Sequence, residues 1–365
     1  MSTSEPTVEQ RAKPGTNPAA SPKTSLVLIS SEQFAEHQNP PGHPERSERA
    51  EVMDVVAARW RGRKGEVVAP RQATHEQLAR VHTTEYLRRI EETSGHAVAL
   101  DPDTYTSPES YEIARLAAGA AVDAVDRALG ASQLCALALV RPPGHHACRD
   151  RAMGFCLFNN VAVAAAHARA SGAGRVAIVD YDVHHGNGTQ DIFDADPRVM
   201  YVALHQYPYY PGTGAAVEIG EGLAKGTTVN LPLEAGAGVA DYRLAFTDVV
   251  VPVLRQFRPD LLLVSAGFDA HERDPLGGMR LSSPAFAAMT MELRAVAEEC
   301  CEGRMVLVTE GGYDLRAFAA SIQDVIEALA SPSCAADWPE DEGSGARGRA
   351  ATDALKKILS PYWRL

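Results

Sequence analysis

Short apolar runs that end abruptly in polar residues constrain this chain more than any other feature. The clearest is 134–140, LCALALV, and 176–179, 199–204, 261–264 and 305–308 repeat the pattern. A run without polar alternation has both faces buried, as in a strand inside a parallel sheet. Residues 26–29, 66–69 and 227–231 are further strand candidates. Between them lie stretches with helical spacing: 45–60, 109–129, 161–170, 240–257, 284–300 and one ending near Leu329. Thr74 and Thr83 sit where the N-caps of two short helices belong. Strands alternating with helices predict an α/β chain whose parallel sheet is covered on both faces. The prolines and glycine of 39–44, NPPGHP, exclude regular structure there. Residues 331–349 read as a polar loop before a last short helix at 351–359.

Composition narrows the function classes. Of 365 residues, 45% are hydrophobic and 22% charged, the balance of a globular protein with a large core. A formal net charge of −12 argues against affinity for a nucleic-acid phosphate backbone. The six cysteines (Cys135, Cys148, Cys156, Cys300, Cys301 and Cys334) include no CxxC pair and read as reduced thiols of a cytoplasmic protein. No apolar run is long enough for a membrane span. Residues 1–24, rich in Ser, Thr, Pro and Glu, have the composition of a disordered tail.

The polar clusters share one placement. His145 and His146 follow the run at 134–140, Asp180 to His184 follow 176–179, and His205 follows 199–204. Asp269 follows 261–264, and Tyr313 follows 305–308. Each stands near the C-terminal end of a strand, the edge where open α/β sheets bind ligands. In DYDVHHGNGTQDIF, 180–193, Asp180, Asp182 and His184 alternate, and in an extended segment alternating side chains face one side. Asp182 alone would pass for an ordinary strand-end residue. Together, Asp182, His184 and Asp269 offer one imidazole and two carboxylates, a set that suits zinc and leaves a coordination position open.

His145 and His146 follow two prolines that stiffen their loop. Alone they would pass for surface histidines; beside a metal, two neutral imidazoles supply a general base and a general acid. Asp180 is a candidate for holding the proton on His145, and Asn187 for orienting His146. A neutral amide raises the imidazole pKa less than a carboxylate does. Tyr313, after Gly311 and Gly312, can approach closely and donate to a developing oxyanion. Gly154, Phe155 and Tyr210 are candidates for the walls of an apolar tunnel, although core packing is the default for each aromatic.

These residues lie in motifs that together resemble the histone deacetylase superfamily, within it the class II branch and the bacterial deacetylase-like amidohydrolases. RPPGHHA (141–147), GFCLFNNVAVAA (154–165), DYDVHHGNGTQ (180–190), LHQY to PGTG (204–214), SAGFDAH (265–271) with DPLGG (274–278), and TEGGYDL (309–315) follow the family's order. The likeness runs from about Leu26 to Leu329. It implies an arginase/deacetylase α/β fold, with a central, mainly parallel eight-stranded sheet flanked by helices, and one catalytic domain over 25–365. It implies zinc at Asp182, His184 and Asp269, an acid–base pair in His145 and His146, and a carbonyl-polarising Tyr313. Phe155 and Tyr210 match tunnel walls, Gly154 and Gly311 go with the tunnel, and Leu276 matches its rim. Arg46 resembles an arginine lining an internal channel below the metal.

The implied reaction is hydrolysis of an N-acyl amide: deacetylation of acyl-lysine in a protein, or of a small acylated amine. No nucleic-acid or membrane partner is implied, and a homo-oligomer is compatible with the resemblance. A potassium ion is implied at Asp180 and the carbonyls of Asp182, His184 and Leu204. Ala203 stands where the family has a serine, removing one oxygen from that site. Asn187 replaces the aspartate of class I members, Tyr210 replaces a usual phenylalanine, and Leu276 is not the acidic residue of polyamine-preferring members. The competing readings are an acetylpolyamine deacetylase, a catalytically silent acyl-binding module, and a two-manganese ureohydrolase, which would need more aspartates at the strand ends.

Overall fold

In chain order the strands are β1 (Ser25–Ile29), β2 (Glu66–Val68), β3 (Val98–Ala99), β4 (Tyr105–Thr106), β5 (Leu134–Ala138), β6 (Val176–Asp180), β7 (Val199–Gln206), β8 (Thr228–Leu233), β9 (Leu261–Ala266) and β10 (Met305–Thr309). The structure is a computed structural model that describes residues 25–332, 335–341 and 343–365, so the tail expected at 1–24 lies outside the described residues. Eight strands form one sheet in the order β2-β1-β5-β10-β9-β6-β7-β8, and β3 pairs with β4 alone. Every pairing in the large sheet is parallel. The unbroken apolar runs account for this: β6, β7, β9 and β10 are buried at every residue, with helices on both faces in place of solvent. Truncating one of these side chains, such as Leu263, would cost about 2–5 kcal/mol.

Register brings the polar residues to one edge. Asp180 is level with Ser265, Ala266 with Thr309, and Val308 with Ala138. Hence β5, β10, β9 and β6 are neighbours that end together. The chain does not visit them in spatial order, and such a reversal opens a crevice at the strand ends. The loops leaving them carry His145 and His146, Tyr313, Asp269, and Asp182 with His184.

Helix starts fix several of these loops. Thr74 forms a capping box with Gln77, and Thr83 accepts from Tyr86 N. Asn159 caps helix Asn160–Ala170, and Asp314 caps Leu315–Ala330, each cap contributing roughly 1 kcal/mol. The alanine-rich helix Ser110–Gly130 packs closely on Asn160–Ala170 and β5 because its side chains are small. Some boundaries differ from expectation. The helix placed at 45–60 runs Glu48–Gly62, because the Glu45 carboxylate turns inward to Arg49 and Arg141. The last helix begins at Ala346, within the stretch read as loop, after the left-handed Gly345 (φ +64°). The β3–β4 pair is too short to leave a pattern. Among the described residues, no helix is long and apolar enough to cross a membrane.

Candidate active site

The segment after β6 bends instead of continuing as a strand. Asp182 N donates to Asp180 Oδ1 (3.2 Å), and His184 N donates to Asp182 Oδ1 (2.9 Å). Side-chain acceptors two residues back turn the chain locally. This corrects the reading of Asp180, Asp182 and His184 as alternating positions of one extended segment. Asp180 faces His145, whereas Asp182 and His184 meet Asp269.

Asp182, His184 and Asp269 place ligand atoms within 4.8 Å of one another. His184 Nδ1 lies 3.2 Å from Asp182 Oδ1 and 3.1 Å from Asp269 Oδ2. The other two oxygens are held by backbone N–H groups, Asp182 Oδ2 by Gly311 and Asp269 Oδ1 by Val183, both at 2.8 Å. A Cβ on Gly311 would overlap both carboxylates. Burial alone would raise both carboxyl pKa values. His145 and His184 hold Asp182 well below the usual range, while burial and the Asp182 charge push Asp269 up to about 7. Burial disfavours charge on His184, but its hydrogen bonds to both carboxylates win and raise it well above its ordinary value. Two converging carboxylates and one imidazole nitrogen, braced from behind, fit a small dication.

The neighbouring histidines differ in their partners. His145 Nδ1 faces Asp180 Oδ2 at 3.0 Å, and that oxygen also accepts from the Tyr201 hydroxyl at 3.0 Å. His146 Nδ1 faces Asn187 Oδ1 at 2.8 Å, with the two rings 4.1 Å apart. The Asn187 amide nitrogen points to Cys148 Sγ and Met153 Sδ, both at 3.4 Å, which leaves its oxygen for His146. Burial opposes charge on both rings. For His145 the carboxylates of Asp180, Asp182 and Glu310 outweigh it and raise the pKa to about 10. For His146 burial, reinforced by His145 and His184, pushes the pKa well below its ordinary value. Two neutral imidazoles were expected; the two rings are shifted in opposite directions because the partner of His145 is a carboxylate and that of His146 an amide. Asn159 Nδ2 donates to Ala147 O (3.1 Å) and Asn160 Nδ2 to Pro142 O (3.1 Å), tying the histidine loop to the next helix.

A cavity of about 200 Å³ reaches this cluster, lined by His145, His146 and His184 and walled by Phe155, Tyr210 and Leu276. Gly154, Tyr209, Tyr313, Pro143 and Asp103 complete it. Gly311 does not line it; it stands behind the carboxylates, which corrects its assignment to the tunnel. A larger hollow of about 940 Å³ beside Arg243 and Trp338 holds none of the candidate groups, so volume does not locate the chemistry. Gly154 and Phe155 are both left-handed (φ +56° and +69°), and a Cβ on Gly154 would overlap the His146 ring. For Phe155 that conformation costs about 1–2 kcal/mol. It is held by Thr104 Oγ1, which accepts from Phe155 N, and by the His43 ring edge-on at 4.6 Å.

Several contributors escaped the sequence reading. Tyr209 stacks on the His184 ring at 5.6 Å and donates to Leu276 O. Asp274, in the DPLGG motif, accepts from Tyr313 N at 2.6 Å. Arg49 donates to Gly312 O (2.8 Å) and to Glu310 O, and stands 5.1 Å over the Tyr313 ring. Arg46, expected to line an internal channel, is instead half exposed, 3.9 Å from Glu48 in an outer hollow. Arg49 is the buried arginine, three residues on and inside the first helical turns. With Arg141 it clamps Glu45, whose carboxyl burial would raise but Arg141 and then Arg49 hold at about 2. The potassium expectation gains nothing here. Both Asp180 oxygens already accept hydrogen bonds, and Ala203, beside Asp180 in the sheet, brings only a methyl group.

The Histone deacetylase domain family matches residues 43–329, a span holding every site group above. A probable deacetylase of Archaeoglobus fulgidus is 35% identical over 352 residues, covering 92% of this chain and 98% of the relative. The polyamine deacetylase HDAC10 of Mus musculus is 43% identical over 310 residues, 80% of this chain and 45% of that protein. In three dimensions the chain is similar to the HDA15 HD domain, with a TM-score of 0.85 at 37% identity over 93% of this chain and 96% of the other. That neighbour has the arginase/deacetylase fold, and the chain belongs to the histone deacetylase family of hydrolases.

Proposed function

We propose that this protein is a zinc-dependent deacylase of class II character that hydrolyses the amide of N-acyl-lysine side chains, acetyl-lysine first among them. One observation carries the reading: a narrow, aromatic-walled cavity leads to the Asp182–His184–Asp269 set, with His146 and Tyr313 beside it. Such walls suit a linear alkyl arm, and the polar groups lie where its terminal amide would be. Asp182, His184 and Asp269 would hold the ion, which supplies Lewis-acid polarisation and water activation.

The chain's own groups do the rest. His146 is neutral and its Nδ1 is committed to Asn187, so its Nε2 is free to take a proton from the attacking water. His145, charged through Asp180, stabilises negative charge next to it. The Tyr313 hydroxyl donates to the oxygen of the amide as it becomes an oxyanion. His146 then returns its proton to the leaving amine. Asn187 as the partner of His146 supports the class II reading.

A second reading, deacetylation of a small cationic amine, is favoured by Asp103 in the cavity lining with Asp101 two residues away. Leu276, apolar at the rim, favours the lysine side chain instead. Rates of zinc-loaded protein on acyl-lysine peptides of several acyl lengths and on acetylputrescine test both. Faster peptide hydrolysis supports the leading reading, faster acetylputrescine hydrolysis the second, and no hydrolysis of either sinks both.

A further inference from the structure

Glu310 belongs to the TEGGYDL motif, yet neither the metal set nor the proton-transfer groups account for it. It is fully buried at the end of β10. Its Oε2 accepts from two successive backbone N–H groups, Gly144 (2.6 Å) and His145 (3.2 Å). Its Oε1 accepts from Ser265 Oγ at 3.1 Å, at the end of β9. Its own N donates to Ala266 O (3.0 Å), and its O accepts from Arg49. One residue therefore joins the loop after β5, the end of β9 and the end of β10, and its carboxylate grips the backbone of the residue bearing the His145 ring.

The character of the grip is informative. Two consecutive N–H groups converging on one oxygen form an anion nest, which fixes the orientation of both peptide planes. Among the described residues no arginine or lysine is hydrogen-bonded to this carboxylate; the two buried arginines nearby, Arg49 and Arg141, bond to the Glu45 carboxylate. Burial pushes the Glu310 carboxyl up to about 7, against the pull of His145 and the Gly144 N–H, so its hydrogen bonds and its charge both bear on the residue that carries the His145 ring. The Oδ2 of Asp180 holds the far side of the same residue through Nδ1, so His145 is fixed at both its backbone and its ring.

We propose that Glu310 is a positioning residue of the reaction: by chelating the Gly144 and His145 N–H groups it sets the His145 imidazole against Asp180 and the reacting amide. The proposal rests on the reading of His145 and His146 as the groups that serve the bond-breaking step. Among the described residues, the Glu310 carboxylate is hydrogen-bonded to Gly144 N, His145 N and Ser265 Oγ and to no metal-ligand side chain.

The test uses the full-length, zinc-loaded protein and two variants. Glu310→Ala removes all three hydrogen bonds that the carboxylate accepts; Glu310→Gln keeps an oxygen for the two N–H groups and can donate to Ser265 Oγ. Misplacing a reacting group slightly has a large effect on rate, so Glu310→Ala is expected to lower kcat at least about tenfold on an acetyl-lysine peptide. KM and bound metal should change less than about twofold, and Glu310→Gln should recover most of the lost kcat. The downfield imidazole N–H proton of the His145–Asp180 pair, identified by its loss in His145→Ala, should shift or broaden in Glu310→Ala and return in Glu310→Gln. An unchanged kcat per folded, metal-loaded molecule in Glu310→Ala, or an unmoved resonance, overturns the proposal. If Glu310→Ala does not fold, failure of Glu310→Gln to keep kcat within about fivefold and the resonance in place overturns it equally. Wild-type protein inactive on every acyl substrate would instead refute the functional reading, and the resonance would still decide the positioning claim.

Discussion

Two buried charged clusters lie on either side of the loop that begins at Glu310, Arg49 bonding to Gly312 O and Asp182 to Gly311 N, and they are built on opposite plans. In the first, Glu45 sits between Arg49 and Arg141, and other guanidinium N–H groups donate to the carbonyls of Phe34, His37, Glu310 and Gly312. Both Glu45 oxygens and both guanidiniums are tied to fixed partners within the chain. In the second, Asp182 and Asp269 converge on one imidazole nitrogen of His184, and among the described residues no guanidinium is hydrogen-bonded to either carboxylate. The closed cluster is scaffold: through Arg49 it holds Gly312 and underlies the Tyr313 ring. The open cluster is left for a cation. What separates reactive from structural polarity here is whether the groups are tied to fixed partners or converge on one point, since both clusters are buried.

Removing a member should therefore have opposite consequences in the two clusters. Asp269→Asn is expected to abolish hydrolysis and metal binding, read by elemental analysis, while leaving the metal-free fold within about 1 kcal/mol of the parent, because it relieves repulsion with Asp182. Glu45→Gln should keep the metal ligands but cost about 3–5 kcal/mol in denaturant unfolding, because it strands two buried guanidiniums. If both variants were equally destabilised, the distinction would fail. Tyr313→Phe lies where the clusters meet. It should lower kcat by about 10²–10³-fold with metal content and unfolding midpoint unchanged.

Acid sharpens the comparison. His37, 3.6 Å from Glu45, has its pKa lowered from 6.5 to about 4, chiefly by burial and against the pull of Glu45. His82 is lowered from 6.5 to about 4, again chiefly by burial. A histidine with a lowered folded pKa is protonated first in the unfolded chain, so its stability contribution is complete above pH 6.5 and is lost as pH falls toward 4. Each such shift corresponds to a loss on the order of 3 kcal/mol at its acid limit. Glu45, lowered from 4.5 to about 2, adds a second loss as pH falls from 4.5 toward 2. Melting temperatures of metal-free protein should begin to drop below about pH 6.5; a flat profile from pH 7 to 4 would contradict this. The smallest expected effect is that of Asn187→Asp. A carboxylate beside His146 should move the acid limb of the rate profile up by about one pH unit, with little change in stability.

Much of this arrangement was legible in the sequence because it rests on periodicity and on the position of polar residues after strands. The runs at 134–140 and 176–179 located β5 and β6, and their ends located His145, Asp180 and Asp182. Individual geometry was less legible. Asp180, Asp182 and His184 reach their places through a bend driven by aspartate side chains, which spacing alone cannot separate from an extended strand. Arg46 and Arg49 look alike in HPERSER. Only the helix start at Glu48 shows that Arg49 turns inward while Arg46 stays on the rim. Glu310 and Asp274 lay in plain view inside motifs, but their work is hydrogen bonding to distant backbone, and no local pattern announces that. The raised pKa of His145 depends on three carboxylates from two distant segments, the ends of β6 and β10, so adjacency to His146 suggested a symmetry that the fold removes.

The central claim is that the open cluster holds one dication that makes this protein an acyl-lysine hydrolase. Metal-free protein titrated with zinc, with acetyl-lysine peptide hydrolysis followed at each addition, tests it directly. The account predicts activity that rises in proportion to bound zinc and saturates at about one equivalent per chain, with no such rise in Asp269→Asn. Full zinc occupancy without hydrolysis of any acyl-lysine peptide, or activity in metal-free protein, would contradict it.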